Sequence, residues 1–296
     1  MVLDDFSLGK MENVEHNLSN PSFHLVEGSI TDPATVARVM EGCELIYHLA
    51  ARVGIKYIVD NPLRGILTNV VGTETVLKEA YRRGTKVLFA STSEIYGKGQ
   101  AVPFREDGDR VLGPTTVHRW SYSSAKAIDE HLALAYSREG LRVAIVRYFN
   151  SYGPRLDPIG YGSVVAKFIT QALAGQPITV HEDGKQSRSF TFVDDTIEGT
   201  ILAATTPGAE GQVFNVGNGR EVTVLELAQM VKTLTGSSSR IDHIRYSDFF
   251  GPNFEDIPRR VPDVEKARRV LGFEAGVPLE EGLKITIAWM RRKQDD

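Results

Sequence analysis

Short apolar runs alternate with longer amphipathic stretches through the first half of the chain. Phe23–Glu27, Leu45–Ala50, Lys86–Ser91 and Val143–Phe149 are brief, apolar and bounded by turn or polar residues. Strands buried on both faces of a parallel sheet have this pattern. The stretches between them read as helices. Asp32–Met40 opens with an acidic cap followed by proline at the first helical position. Asn69–Arg83 carries Val70, Val71, Val76, Leu77 and Ala80 close to a 3.6-residue period and stops at Gly84. Tyr122–Arg138 repeats the pattern and stops at Gly140. The alternation predicts an α/β fold, a doubly wound, Rossmann-like parallel sheet with helices on both faces.

Near Asn150 the rhythm changes. Pro154, Pro158, Gly160 and Gly162 predict a loop, Val164–Leu173 a helix and Pro177–His181 a short strand. Charged and turn residues then become frequent. The pattern predicts a core domain over 1–150 and a smaller domain over 151–296, interleaved with the last core elements.

Composition narrows the functional classes. A chain of 296 residues, 42% hydrophobic, can bury a sizeable core. A net charge of -4 gives no basic excess for nucleic acid or an anionic membrane. The single cysteine, Cys43, rules out a disulfide framework or a cysteine-rich zinc site within one chain, and reads as a small core residue. No metal site is expected. No stretch reaches the roughly 20 apolar residues of a membrane helix, and Met1–Asp5 lacks the basic and apolar regions of a signal peptide. A cytoplasmic location is expected.

The chemistry begins with Tyr122 and Lys126, which lie on one face of a helix at i and i+4. An ammonium beside a phenol favours the phenolate, so the tyrosine pKa is expected to be lowered. Such a tyrosine can take a hydroxyl proton near neutral pH. By itself the pair is a common surface pattern. Directly after the strand Lys86–Ala90, however, stands Ser91-Thr92-Ser93-Glu94-Ile95-Tyr96-Gly97. Open α/β sheets bind ligands at the carboxyl ends of their strands, so Thr92 is placed to hydrogen-bond the hydroxyl that Tyr122 deprotonates.

With that stretch, Arg119-Trp120-Ser121-Tyr122-Ser123-Ser124-Ala125-Lys126 and Arg147 to Arg155, the chain resembles the NAD-dependent epimerase/dehydratase family, extended short-chain dehydrogenases acting on nucleotide sugars. The resemblance continues through Gly184 to Asp195 and reaches Arg260-Val261-Pro262-Asp263, and so covers nearly the whole chain. It implies an NAD-binding domain over 1–150 and a mainly nucleotide-sugar-binding one over 151–296. Thr92, Tyr122 and Lys126 resemble the catalytic triad, with Ser93 and Glu94 beside it. Tyr122 would act as base on the sugar 4-hydroxyl while hydride passes to NAD. Asp4 resembles the acid that binds the adenosine ribose. Ser29 and Ile30 match the adenine contact, Leu49, Ala50 and Ala51 the small strand-end residues against the cofactor, and Asn69 and Tyr148 further cofactor positions. Asn150, Arg188 and Arg260 resemble the diphosphate binders, a task suited to arginine's planar fork. The resemblance also implies a homodimer built on the helices Asn69–Arg83 and Tyr122–Arg138.

Two departures stand out. The family begins with a strand, a Gly-x-x-Gly-x-x-Gly loop and a helix, roughly 25–30 residues in all. Here Val2–Gly9 matches the family's second strand and the loop after it. Without the first unit the sheet is expected as two half-sheets with unpaired edges, and pyrophosphate binding is expected to suffer. The sequence is therefore expected to belong to a longer native protein. The second departure is Ser29, where the family more often carries aspartate.

The family reactions share oxidation at the sugar C4. Ser93-Glu94 replaces the Asp-Glu pair typical of dehydratases, which disfavours dehydration. Thr-Ser-Glu, Arg-Trp-x-Tyr-Ser, Gly-Lys-Gln-x-Arg and Arg260 resemble UDP-glucuronate decarboxylases, so decarboxylation of a UDP-sugar is expected first. The alternative is 4-epimerization of UDP-glucose, and a further one is a non-catalytic nucleotide-sugar-binding module.

Overall fold

The computed structural model describes residues 1–156, 163–250 and 254–295. Three parallel strands build the main sheet: β3 (Leu45–His48), β4 (Lys86–Thr92) and β5 (Val143–Tyr148). Val213–Val216 closes its far side, parallel to β5, with Val213 beside Ile145. The middles of β4 and β5 are continuous apolar runs because helices cover both faces; Val87–Phe89 and Val143–Val146 are completely buried. β1 (Val2–Asp4) and β2 (Leu25–Glu27) form a separate parallel pair. The expected two half-sheets are therefore observed, and neither β1 nor β3 has a ladder partner on its second edge among the described residues. A small cluster of Ile30, Val36, Met40 and Val76, with Leu3, Ile46 and Ala50, ties them together.

The helix expected over Asn69–Arg83 starts earlier, at Pro62. Its first turns place Leu63, Ile66 and Leu67 outside, so no buried apolar stripe marks them in the sequence. The helix carrying Tyr122 spans Ser121–Arg138 and packs against it, with the Tyr81 and Tyr136 rings 5.6 Å apart.

Beyond Asn150, Val164–Leu173 is helical and Ile178–His181 a strand parallel to Ile241–Ile244. Of the expected loop, Pro154 lies in a turn, whereas Pro158, Gly160 and Gly162 lie outside the described residues. Ser187–Arg188 pairs antiparallel with Val222–Thr223 and parallel with Arg259–Arg260, which sets Arg188 and Arg260 side by side. A second core, including Phe168, Ile169, Leu227 and Leu283, holds this region together. The helix Val193–Thr205 and the strand Val213–Val216 return to the main sheet.

Candidate active site

At the carboxyl end of β4 the chain turns into the short 3-10 helix Ser93–Tyr96, where Thr92 is the cap: its hydroxyl accepts from the Glu94 amide at 3.2 Å. The turn carries the Glu94 carboxylate into the interior. There Arg119 reaches one oxygen at 2.5 Å and Arg260 donates to the other. Burial acts to raise the Glu94 pKa, but the two guanidiniums outweigh it and hold the carboxyl at about 2. A second buried pair adjoins the first. Arg188 donates to Asp256 at 2.9 Å, and the Tyr246 hydroxyl donates to the same oxygen. Three guanidiniums thus face two carboxylates in one desolvated cluster. Arg119, Arg188 and Asp256 all act on the Arg260 charge. The Nε atoms of Arg119 and Arg260 have no hydrogen-bond partner among the described residues.

Tyr122 stands on this cluster's edge, and its pKa corrects the sequence expectation. Burial, followed by the Glu94 charge, pushes the phenol above its ordinary range; the hydrogen bond with Thr92 works the other way. The reason is the placement of Lys126. Its Nζ donates to the Ala90 carbonyl at 3.0 Å, lies 4.5 Å from the centre of the Phe89 ring and pairs with Asp129 at 3.7 Å. The ammonium is engaged on the core side of the helix. Behind it, Arg147 grips Glu130 at 2.9 and 2.6 Å and donates to the Tyr96 hydroxyl, which donates to Asn215. Ser91 also donates to Glu130. This sealed network fixes β4, β5 and the Tyr122 helix relative to one another.

The predicted cofactor residues fall into two groups. Asp4, Ser29, Ile30, Leu49, Ala50 and Ala51 line one pocket at the strand ends of the two half-sheets. The Asp4 carboxylate accepts from the Phe6 amide at 2.7 Å through one oxygen. A Cβ on Gly9 would stand 2.9 Å from both carboxylate oxygens, so any other residue there would make the Asp4 side chain shift. Asn69 lies behind the pocket and clamps the Arg52 backbone, accepting from its amide at 2.7 Å and donating to its carbonyl at 3.1 Å. Tyr148 stands apart from that pocket, its hydroxyl on Thr200 at 2.8 Å. Asn150, in a left-handed conformation at φ 41°, donates to the Ser189 carbonyl. It thereby joins the Arg188 segment to the end of β5.

An acid at the end of a strand, a glycine opposite it and small residues at the next strand end suit the adenosine end of NAD. The residues that suit the nicotinamide end are Tyr122 and Lys126. The sequence contains no glycine loop for the pyrophosphate. Sequence reasoning assigned no role to Arg119, Asp129, Tyr246 or Asp256. Arg119 was visible within the Arg-Trp-x-Tyr-Ser motif and Asp129 as an acid one turn beyond Lys126. Tyr246 and Asp256 carried no signal, because their partner Arg188 is far away in sequence.

Residues 3–217 match the family described as NAD dependent epimerase/dehydratase. The UDP-N-acetyl-alpha-D-glucosaminuronate decarboxylase of Bacillus cytotoxicus is 41% identical over 295 residues, which cover 100% of this chain and 91% of that protein. UDP-glucuronic acid decarboxylase 2 of Arabidopsis thaliana is 39% identical, over 99% of this chain and 63% of its own length. Among solved structures, the UDP-glucose 4-epimerase of Thermotoga maritima superposes with a TM-score of 0.89 at 32% identity, covering 99% of this chain and 91% of that one.

Proposed function

The chain belongs to the NAD dependent epimerase/dehydratase family, and from that premise we propose that it decarboxylates a UDP-hexuronate through a 4-keto intermediate. The observation that carries this reading is Glu94 buried between Arg119 and Arg260 beside Tyr122. The cluster has one guanidinium more than it has carboxylates, so an anionic sugar or diphosphate group balances it. Arginine's fork suits both groups. The decarboxylase relatives support the same reading.

NAD, held at the pocket lined by Asp4, Ser29, Ile30 and Ala50, would supply reversible hydride transfer at the sugar C4. The protein's part is positioning and proton handling. Thr92 and Tyr122 meet the C4 hydroxyl, and Tyr122 accepts its proton. The C5 carboxylate then stands β to a ketone, and its C–C bond breaks with loss of CO2. The electron pair passes to the C4 oxygen, where Tyr122 and Thr92 stabilise the enolate by hydrogen bonding. C5 next takes a proton from water, and Tyr122 returns its own proton to the C4 oxygen. Glu94, ionised at any physiological pH, acts as a fixed charge rather than a proton donor. Asp4 would hold the adenosine ribose, and Asp4→Ala is expected to weaken NAD binding roughly tenfold or more, the loss of a charge-assisted hydrogen bond, read by calorimetric titration. An unchanged NAD affinity would remove Asp4 from that role.

The reading is tested by incubating the protein with NAD and UDP-glucuronate and measuring CO2 release. No CO2, together with interconversion of UDP-glucose and UDP-galactose, would establish the second reading, 4-epimerization. That reading is favoured by the Thermotoga likeness and needs no proton donor at C5. The protein is proposed to act as a homodimer in the cytoplasm. The packed helices Pro62–Arg83 and Ser121–Arg138 expose Leu63, Leu67, Val71 and Ile128. No described helix is long and apolar enough to cross a membrane.

A further inference from the structure

The loops that follow β1 and β3 meet across the interval between the two half-sheets, and one charged pair joins them. Arg52 donates to the Asp5 carboxylate at 3.0 Å. Both ends of the pair are held. The other Asp5 oxygen accepts from the Ser7 amide at 3.0 Å and from the Ser7 hydroxyl. Asn69 fixes the Arg52 main chain through both its amide and its carbonyl, and the guanidinium carbon lies 5.6 Å from the centre of the Tyr57 ring. The Arg52 side chain is 4% exposed, whereas that of Asp5 is 36% exposed. A buried guanidinium is therefore opposed by a carboxylate whose charge water partly screens.

We infer that Arg52 binds the diphosphate of the cofactor. The inference rests on the reading of the pocket that Arg52 shares with Asp4 as the adenosine end of the NAD site. Among the described residues that line this pocket, Arg52 is the one cation, and Asp4 and Asp5 are the acids. Asp4, at the end of β1, suits the ribose hydroxyls, while the nicotinamide has to reach Tyr122 and Lys126 beyond β3. The diphosphate between them crosses from one half-sheet to the other, and Arg52 spans that interval. Without Arg52, the phosphate charges would enter a pocket lined by two carboxylates and no cation. The bond to Asp5 occupies one nitrogen of a guanidinium that carries several N–H donors in a planar fork. Asp5 steadies the fork, and its remaining donors suit a pair of phosphate oxygens. The same two acids oppose a further phosphate on the ribose, so the site favours NAD over NADP.

The test is calorimetric titration of NAD into the wild type, Arg52→Gln and Asp5→Asn, at low and at high salt. Arg52→Gln is expected to weaken NAD binding roughly tenfold or more, the scale of a charge-assisted hydrogen bond. It should also flatten the salt dependence, because the lost contact is ionic. Asp5→Asn is expected to keep or raise the affinity, because it removes a carboxylate that competes with the phosphates for the guanidinium. A loss in Asp5→Asn as large as that in Arg52→Gln would show that the pair only joins the half-sheets and would overturn the inference. Tighter binding of NADP than of NAD by the wild type would also overturn it, by moving Arg52 to a ribose phosphate. If Arg52→Gln misfolds, Arg52→Lys decides. It keeps the charge and loses the fork, and an affinity equal to that of the wild type would overturn the inference. Asp4→Ala separates the two readings. A loss there with none in Arg52→Gln would remove Arg52 and leave the pocket as the NAD site. No loss in either, or no binding of NAD to the wild type, would overturn both.

Discussion

Tyr122→Phe is expected to stay folded and to lose turnover by about 10²–10⁴-fold, the usual contribution of a positioned acid–base group. The substitution removes one oxygen at the edge of the arginine cluster and leaves every buried ion pair intact. The melting temperature should therefore barely change. The loss should fall on kcat, because in the proposed mechanism the phenol works on the C4 proton and the substrate is anchored elsewhere, at Arg188 and Arg260. In the chain by itself the phenol is held above its ordinary pKa by burial and by the Glu94 charge. Activity should therefore rise with pH until the base is formed. Retained turnover in the variant, on any nucleotide sugar, would remove Tyr122 from the mechanism.

Glu94→Gln is expected to damage both stability and chemistry. The carboxylate sits between two guanidiniums that are themselves buried. Neutralising it leaves both charges facing Arg188 with only Asp256 to oppose them, and loss of one partner from a buried pair costs about 3–5 kcal/mol. Calorimetry should show a lower melting temperature. The pH dependence has a definite sign. The folded pKa, at about 2, lies below the ordinary glutamate value of 4.5. The ionised group therefore contributes its full stability above about 4.5, and that contribution is lost as pH falls toward 2. The variant should lack this part of the acid sensitivity. In the proposed chemistry, the fixed negative charge would stand near the carboxylate that leaves as CO2. Its removal should slow decarboxylation by roughly 10²-fold, the scale of one preorganised electrostatic group, and should slow 4-epimerization much less. Equal, small effects on the two reactions would show that Glu94 only supports the fold.

The parts of this molecule that were legible in the sequence are those set by local pattern. Val143–Val146 is apolar at every position because both faces are covered, and a parallel strand can be read from that alone. The half-sheet arrangement was legible as well, because the order of strands dictates which edge loses its neighbour. The first turns of the helix at Pro62 were not, since Leu63, Ile66 and Leu67 point outward and break the buried stripe. The Tyr122 and Lys126 pair was found by spacing, yet the acidity assigned to it had the wrong sign. Spacing places two side chains on one face but does not say where the ammonium points, and Lys126 turns to Ala90 and Asp129. Arg188 and Arg260 could be singled out one by one. Their neighbourhood could not, because it depends on the pairing of Ser187–Arg188 with Arg259–Arg260 across a long stretch of chain.

The proposed reaction makes an enolate with carbanion character at C5 and quenches it with a solvent proton, whereas the hydrogen at C4 leaves and returns as hydride. Turnover of UDP-glucuronate in D2O, followed by proton NMR of the product sugar, reads both positions at once. The expected product is a UDP-pentose carrying one deuterium at C5 and protium at C4. A six-carbon product with no deuterium, or no product at all from a protein saturated with NAD, would contradict the decarboxylation mechanism.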